Sequence, residues 1–250
     1  MINIKSEWEL DIMRTCAHVT GEILRDLAGY IEPGMSTLDI NQFVENRIRK
    51  AKMTPSFLGL YDFPASACIS VNEEIVHGIP KADRILKEGD IVSVDTGATY
   101  KGYVSDAART YPVGEVSQVA QNLMDAAKKG FFEAIKFAKP GYRVSDISHA
   151  VQETVEAEGF GIVRELVGHG VGRVMHEDPQ IPNYGRAGRG PRIAKGMVFA
   201  IEPMITEGTY QVDVLDDEWT YVTKDRKLAA HYENSVIITD GEPEIITLVE

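Results

Sequence analysis

The sequence predicts an α+β fold in which two related halves share one mostly antiparallel sheet covered by helices. Three observations carry this reading. Helix-like and strand-like stretches are segregated, which argues against a parallel sheet built of βαβ units. The order helix, Pro-Gly, helix, β-rich run occurs twice along the 250 residues. The two copies also keep a constant spacing. Pro33 and Pro140, Gly34 and Gly141, Asp39 and Asp146, Ile40 and Ile147, Val44 and Val151, Gly89 and Gly196, and Asp95 and Glu202 each lie 107 positions apart. KEGDIVSVD and AKGMVFAIE align at that offset without a gap, so the coincidences mark an internal duplication. Residues 1–250 therefore read as one domain, with repeat halves at approximately 6–115 and 116–250 related by a pseudo-twofold axis.

Taken in order, Ser6 and Glu9 form a capping-box pattern. The helix that follows carries Leu10, Met13, Ala17, Leu24 and Leu27 on one stripe. Pro33-Gly34 ends that region, and a second helix is predicted from about Thr37 to Ala51. Ile91 to Tyr111 reads as a hairpin: Ile91 to Asp95 is β-branched, Tyr100 to Tyr103 turns, and Val104 to Tyr111 returns. With Lys101-Gly102 as the loop, Asp95 faces Ala108 and Asp106 faces Gly97. Asp95 and Asp106 are then diagonal neighbours on one face, with Cα atoms about 7–8 Å apart. The second half repeats helices over about Gln118 to Phe137 and Ser145 to Glu158. Glu202 takes the place of Asp95, and Glu233, in AAHYENSVIITD, is expected to take that of Asp106. Glu207 to Ala230 forms a long excursion that includes Trp219.

Composition narrows the function. Hydrophobic content of 44% and charged content of 26% are those of a soluble globular protein. A net charge of −12 argues against a specific nucleic-acid binder or an anionic-membrane binder. Arg186, Arg189, Arg192 and Lys195 form a local basic run, read first as a solvated loop and second as able to touch a phosphate surface. Cys16 and Cys68 form no CxxC pair, which fits a reducing cytoplasm. The opening residues lack an apolar signal core, and no apolar run approaches the roughly 18 residues of a membrane span.

The repeat has a chemical consequence, because symmetry brings Asp95, Asp106, Glu202 and Glu233 together at the axis. Four carboxylates alone would repel one another. Two divalent cations neutralise them, and bridged ions about 3.5–4 Å apart suit diagonal carboxylates. Among six histidines, His169 in VGHGVG has glycines that permit close backbone approach. His77 in VNEEIVHGIP and His176 in VMHEDP also have loop contexts, whereas His18 and His149 fall within helices. His231 stands two residues before Glu233 and could face the same cleft. One imidazole and four carboxylates suit two hard or borderline cations. No HExxH, GxSxG or Walker A pattern is present.

The motifs SVNEEIVHGIP, the VDTG to SDAA hairpin, GHGVGRVMHEDPQIPNYG, AIEPM and TKDRKLAAHYENS, in this order, resemble those of type I methionine aminopeptidases of the pita-bread metallopeptidase group. The similarity runs from about Lys5 to Thr247, and with no added segment before the repeat it is to the short bacterial form. The resemblance implies a pita-bread fold and two divalent metal ions (Co²⁺, Fe²⁺, Mn²⁺ or Zn²⁺) held by Asp95, Asp106, His169, Glu202 and Glu233. Asp106 and Glu233 would bridge the ions. Glu202 would shuttle the proton of the attacking water, His77 would contact the scissile amide, and His176 would hydrogen-bond the carbonyl oxygen. Leu60, Phe63, Cys68, His77, Met175 and Trp219 would form the methionine pocket. Leu60, Met175 and Phe57 depart from residues common among relatives. The implied substrates are peptides and nascent proteins that begin with Met before a small residue, and the implied state is a monomer. Because Ile2 follows Met1, the same specificity implies that Met1 is retained. Two rivals share the scaffold. Xaa-Pro peptidases usually carry a further N-terminal domain, and non-enzymatic binding descendants lose ligands.

Overall fold

The computed structural model describes residues 2–249, so Met1 lies outside them. Four long helices punctuate the chain: α1 (Glu7–Leu27), α2 (Thr37–Lys50), α3 (Gln118–Ala134) and α4 (Val144–Ala157). Each has a local cause. The Glu9 carboxylate accepts hydrogen bonds from the Ser6 backbone N–H at 2.8 Å and the Ser6 hydroxyl at 2.9 Å, which starts α1 as the capping pattern predicts. Asp39 caps the Ser36 backbone N–H in the same way at 2.8 Å. The turns before α2 and α4 contain Gly34 at φ 94° and Gly141 at φ 102°, a left-handed conformation that a Cβ disfavours. That requirement explains why glycine recurs there at the repeat spacing. α3 ends in a 3₁₀ turn, Ile135–Phe137.

The first half builds a three-stranded antiparallel section, Ala67–Val71, Ile91–Thr96 and Ala107–Pro112, with Ile91–Thr96 in the middle. The second half builds a five-stranded section in the order Glu177–Ile181, Gly168–Gly170, Val198–Ile201, Asn234–Ile237, Glu244–Ile245. The predicted hairpin register holds, with Asp95 paired to Ala108 and Thr99 to Val104. The sections are stitched at the centre. The Glu233 N–H donates to the Ala108 carbonyl at 2.9 Å, and the Ala108 N–H donates to the Glu233 carbonyl at 3.4 Å. On one side of this pair, the Ser235 hydroxyl accepts from the Asp106 N–H at 3.1 Å and donates to its carbonyl at 2.8 Å. On the other side, the Thr110 hydroxyl does the same for His231, at 2.9 Å in both directions.

This reciprocal pattern puts the pseudo-twofold axis at the Ala108–Glu233 pair and corrects one expectation. Asp95 pairs with Ala108 in the first half, and Met204 pairs with His231 in the second. At the repeat spacing these registers equate Ala108 with Glu233 and Asp106 with His231. Glu233 is therefore not the counterpart of Asp106. The Glu207–Ala230 excursion resets the spacing, and matching carboxylate to carboxylate picked the neighbour two residues along on the same strand face.

Helices cover the sheet, and the two largest of four buried clusters among the described residues lie one in each half. Ile40, Val44 and Ile48 of α2 pack with Ile69, Val92 and Val94 of the first half. Leu123 and Phe131 of α3 and Ile147 and Val151 of α4 pack with Phe199, Ile201 and Val236 of the second. Burying each such side chain contributes about 1.5–3 kcal/mol, so the strands that reach the axis are firmly held. The excursion folds as a hairpin, Val212–Val214 with Tyr221–Thr223, whose second strand pairs with Glu74–Val76. This pairing carries Trp219 to His77. No helix among the described residues is long and apolar enough to cross a membrane.

Candidate metal centre and substrate cleft

The four carboxylates stand where the ladders break. Asp95 is near the end of Ile91–Thr96 and Asp106 just before Ala107–Pro112. Glu202 follows Val198–Ile201, and Glu233 precedes Asn234–Ile237. Asp106 and Glu233 are buried, whereas Asp95 and Glu202 keep partial access to the cleft. His169 lies on Gly168–Gly170, squeezed between two strands. A Cβ at Gly168 would collide with the Ala200 carbonyl, and one at Gly170 with the Asp178 carbonyl, so the predicted close approach is real.

The polar atoms at the centre are unsatisfied. Asp95 Oδ1, Asp106 Oδ1, Glu233 Oε1 and His231 Nε2 are buried without a hydrogen-bond partner, a costly arrangement unless something binds them. His169 Nε2 lies 3.5 Å from both Asp106 Oδ2 and Glu202 Oε1. These separations exceed a hydrogen bond. They match two donors on one ion at about 2.1 Å each, which sit roughly 3.4 Å apart in tetrahedral geometry. His169 Nδ1 stands 2.9 Å from the Gly170 carbonyl oxygen and can donate to it, which leaves the Nε2 lone pair facing the carboxylates.

Burial governs the protonation of this cluster. It raises Asp95 to about 7, with the Glu202 charge adding to the effect. It lifts Asp106, Glu202 and Glu233 well above the carboxylate range. It lowers His169 to about 4, aided by His176. Without cations, burial therefore favours neutral carboxyls and neutral imidazoles at this centre. Cations must displace the carboxyl protons to bind. Two donor groups, Asp95–His231–Glu233 and Asp106–His169–Glu233, are close enough to hold an ion, and Glu233 belongs to both.

Beside the centre lies a cavity of about 160 Å³. It unites the residues given a site role from the sequence: Leu60, Phe63, Cys68, His77, Met175, His176 and Trp219 line it together with Asp95, Asp106, His169, Glu202 and Glu233, whereas His231 does not line it. Trp219 meets Phe63 edge-on at 5.1 Å between ring centroids. The His77 backbone is left-handed at φ 60°, and its ring meets Tyr221 at 5.7 Å. His176 lies 4.5 Å from the His169 ring. Burial lowers His77 to about 4 and moves His176 in the same direction, so both are neutral near pH 7. Cys68 pairs with Asp95 across the ladder, and burial next to Asp95 pushes its thiol far up. It is thus a small apolar wall and no thiolate nucleophile.

Sequence reading missed Tyr61, Val76, Leu166, Val167 and Met204, did not assign Phe57 to the wall, and left His231 unassigned. Strand alternation identifies Met204, two residues beyond Glu202. Nothing local signals Tyr61, whose ring stacks on His176 at 5.9 Å from a left-handed loop at φ 50°. His18 is exposed and His149 is half-buried on α4, both away from the cleft, as expected. The basic run Arg186, Arg189, Arg192 and Lys195 is exposed, and Lys195 pairs with Asp240 at 2.7 Å.

Comparison with known proteins agrees with this geometry. Residues 11–240 match the pattern of metallopeptidase family M24. The chain is 51% identical over 250 residues to the methionine aminopeptidase of Clostridium acetobutylicum, covering 100% of both. The crystal structure of methionine aminopeptidase from Thermotoga maritima is similar at a TM-score of 0.98 and 45% identity, again over 100% of both chains. A prolidase from Pyrococcus furiosus shares the fold alone, at a TM-score of 0.81 and 23% identity, and this chain spans 66% of its length.

Proposed function

The chain belongs to metallopeptidase family M24, and from that premise we propose that it is a metal-dependent methionyl aminopeptidase. It removes the N-terminal methionine of peptides and nascent proteins whose second residue is small. The observation that carries this reading is the set of buried, unpartnered carboxylate oxygens of Asp95, Asp106 and Glu233, residues that line an apolar cavity. The donors fit divalent cations, since four carboxylates and neutral imidazole nitrogen are the ligand types of hard and borderline ions. We assign two ions per chain to Asp95, Asp106, His169, Glu202 and Glu233, with Asp106 and Glu233 shared; Co²⁺, Fe²⁺, Mn²⁺ and Zn²⁺ all suit this set. Such ions, when bound, make a water nucleophilic near neutral pH and polarise the carbonyl of the first peptide bond.

The remaining work falls to the side chains. Leu60, Phe63, Cys68, Met175 and Trp219 enclose the thioether side chain, for which soft and apolar surfaces are suited. Glu202 takes the proton of the attacking water and delivers it toward the leaving amine. His77 faces the scissile amide. His176, neutral through burial, donates a hydrogen bond to the carbonyl oxygen as it gains charge. The whole chain acts as one catalytic unit, monomeric and cytoplasmic. The exposed Arg186–Arg192 loop is the surface open to the ribosome. The test is hydrolysis of Met-Ala-Ser and Ala-Pro-Ala by protein loaded with Mn²⁺ or Co²⁺. Release of methionine from the first alone is expected. Cleavage of the second alone would transfer the protein to the Xaa-Pro class, and cleavage of neither would make it a binding protein.

A further inference from the structure

The pseudo-twofold axis presents four side chains to the metal centre from its two central strands. Asp106 and Ala108 come from one strand, and their symmetry equivalents His231 and Glu233 from the other. Three of the four carry donors. Asp106 and Glu233 are already assigned, and His231 is not. His231 is 1% exposed and does not line the substrate cavity, so it meets neither solvent nor substrate. Its Nε2 is buried without a hydrogen-bond partner. That atom lies 3.6 Å from Glu202 Oε2 and 3.7 Å from Glu233 Oε2. His169 Nε2 stands in nearly the same relation to its own two carboxylates, at 3.5 Å from each. Asp95, His231 and Glu233 together bring one donor atom each within reach of a single ion.

We propose that His231 is a sixth donor of the metal centre, supplying an imidazole to the ion held by Asp95 and Glu233. Each ion then has one histidine, His169 on one side and His231 on the other. A neutral nitrogen at this position adds a ligand without adding negative charge, so four carboxylates and two dications remain balanced. His231 is also held rigidly toward the centre, because both its backbone N–H and its carbonyl are bonded to the Thr110 hydroxyl. The inference rests on the reading of this cluster as a two-ion centre.

The first test needs no variant. X-ray absorption of the protein with two equivalents of Co²⁺ counts imidazoles from their outer-shell scattering. An average of about one imidazole per ion is expected, and about one-half would leave His169 alone and overturn the proposal. The second test titrates Co²⁺ into the metal-free parent, His231→Gln and His231→Ala, with calorimetry and visible absorption as readouts. Loss of a directly bound imidazole should weaken one of the two sites by more than the roughly 10–100-fold typical of an outer-shell partner, alter its ligand-field bands and spare the other. Unchanged affinities and spectra in both variants would overturn the proposal. If the parent itself takes up no divalent cation, the two-ion reading fails first, and that outcome is separate from parent-like binding by the variants.

Discussion

The proposed mechanism gives Glu202 and His176 different parts at the same bond, and single substitutions test them. Glu202→Gln keeps size, removes the proton acceptor and turns a charged ion donor into a neutral one, so with two-ion loading verified kcat should fall by about 10²–10⁴-fold. His176→Ala removes a donor to charge that grows only in the transition state. Steady-state kinetics on Met-Ala-Ser should show kcat lower by roughly 10²–10³-fold with KM nearly unchanged. A rise in KM alone would make His176 a binding residue. At this scale the sequence was most informative where glycine or charge made a residue conspicuous: His169 between Gly168 and Gly170, and four carboxylates with no reason to converge except a cation. It was least informative where position depended on the path of a loop. Tyr61 reaches His176 only because its backbone turns left-handed, and no spacing in the sequence encodes that turn.

Among elements, α2 shows how a helix sets the cleft. Asn41 is 7% exposed, and its side-chain oxygen accepts from the Ser66 N–H at 2.9 Å and the Ala67 N–H at 3.1 Å. It thereby anchors the start of the strand that carries Cys68. Asn41→Ala would leave two buried N–H groups unpaired, at about 1–3 kcal/mol each when no water reaches them. The expected fall in Tm is roughly 4–24 °C by calorimetry, and a parent-like Tm would show that the strand is held by other contacts. The helix starts were legible to within a residue because their caps are local, whereas α1 ends at Leu27, well before the Pro33-Gly34 expected to close it, and α3 gives way to a 3₁₀ turn at Ile135. The return strand of the second half was not legible. A duplicated offset passes intact through Glu202 but cannot survive an inserted hairpin, and only the ladder shows that His231, not Glu233, matches Asp106.

For the molecule as a whole, the metal centre ties stability to pH. Burial raises the folded-state values of the four carboxyls, Asp95 to about 7, above those of an unfolded chain. Below the unfolded carboxylate range both states are protonated, and the metal-free fold bears no charge penalty here. From about pH 4 to 6.5 the unfolded chain loses carboxyl protons that the fold keeps, but it also carries imidazole protons that the buried His77, His169, His176 and His231 lack, so the two effects oppose each other; above about 6.5 only the carboxyl effect remains and stability declines. Metal-free protein should therefore show a Tm that falls as pH rises above about 6.5. Saturating Mn²⁺ should raise the Tm most at the upper end, and its binding should release protons into a weak buffer. The most direct test of the two-ion account is to titrate Mn²⁺ into metal-free protein at pH 7.5 while following bound metal and methionine release from Met-Ala-Ser together. The account predicts negligible release without metal and full activity once the sites fill, with saturation at two ions per chain. Undiminished release by protein verified to be metal-free, or a folded protein that binds no Mn²⁺, would contradict it.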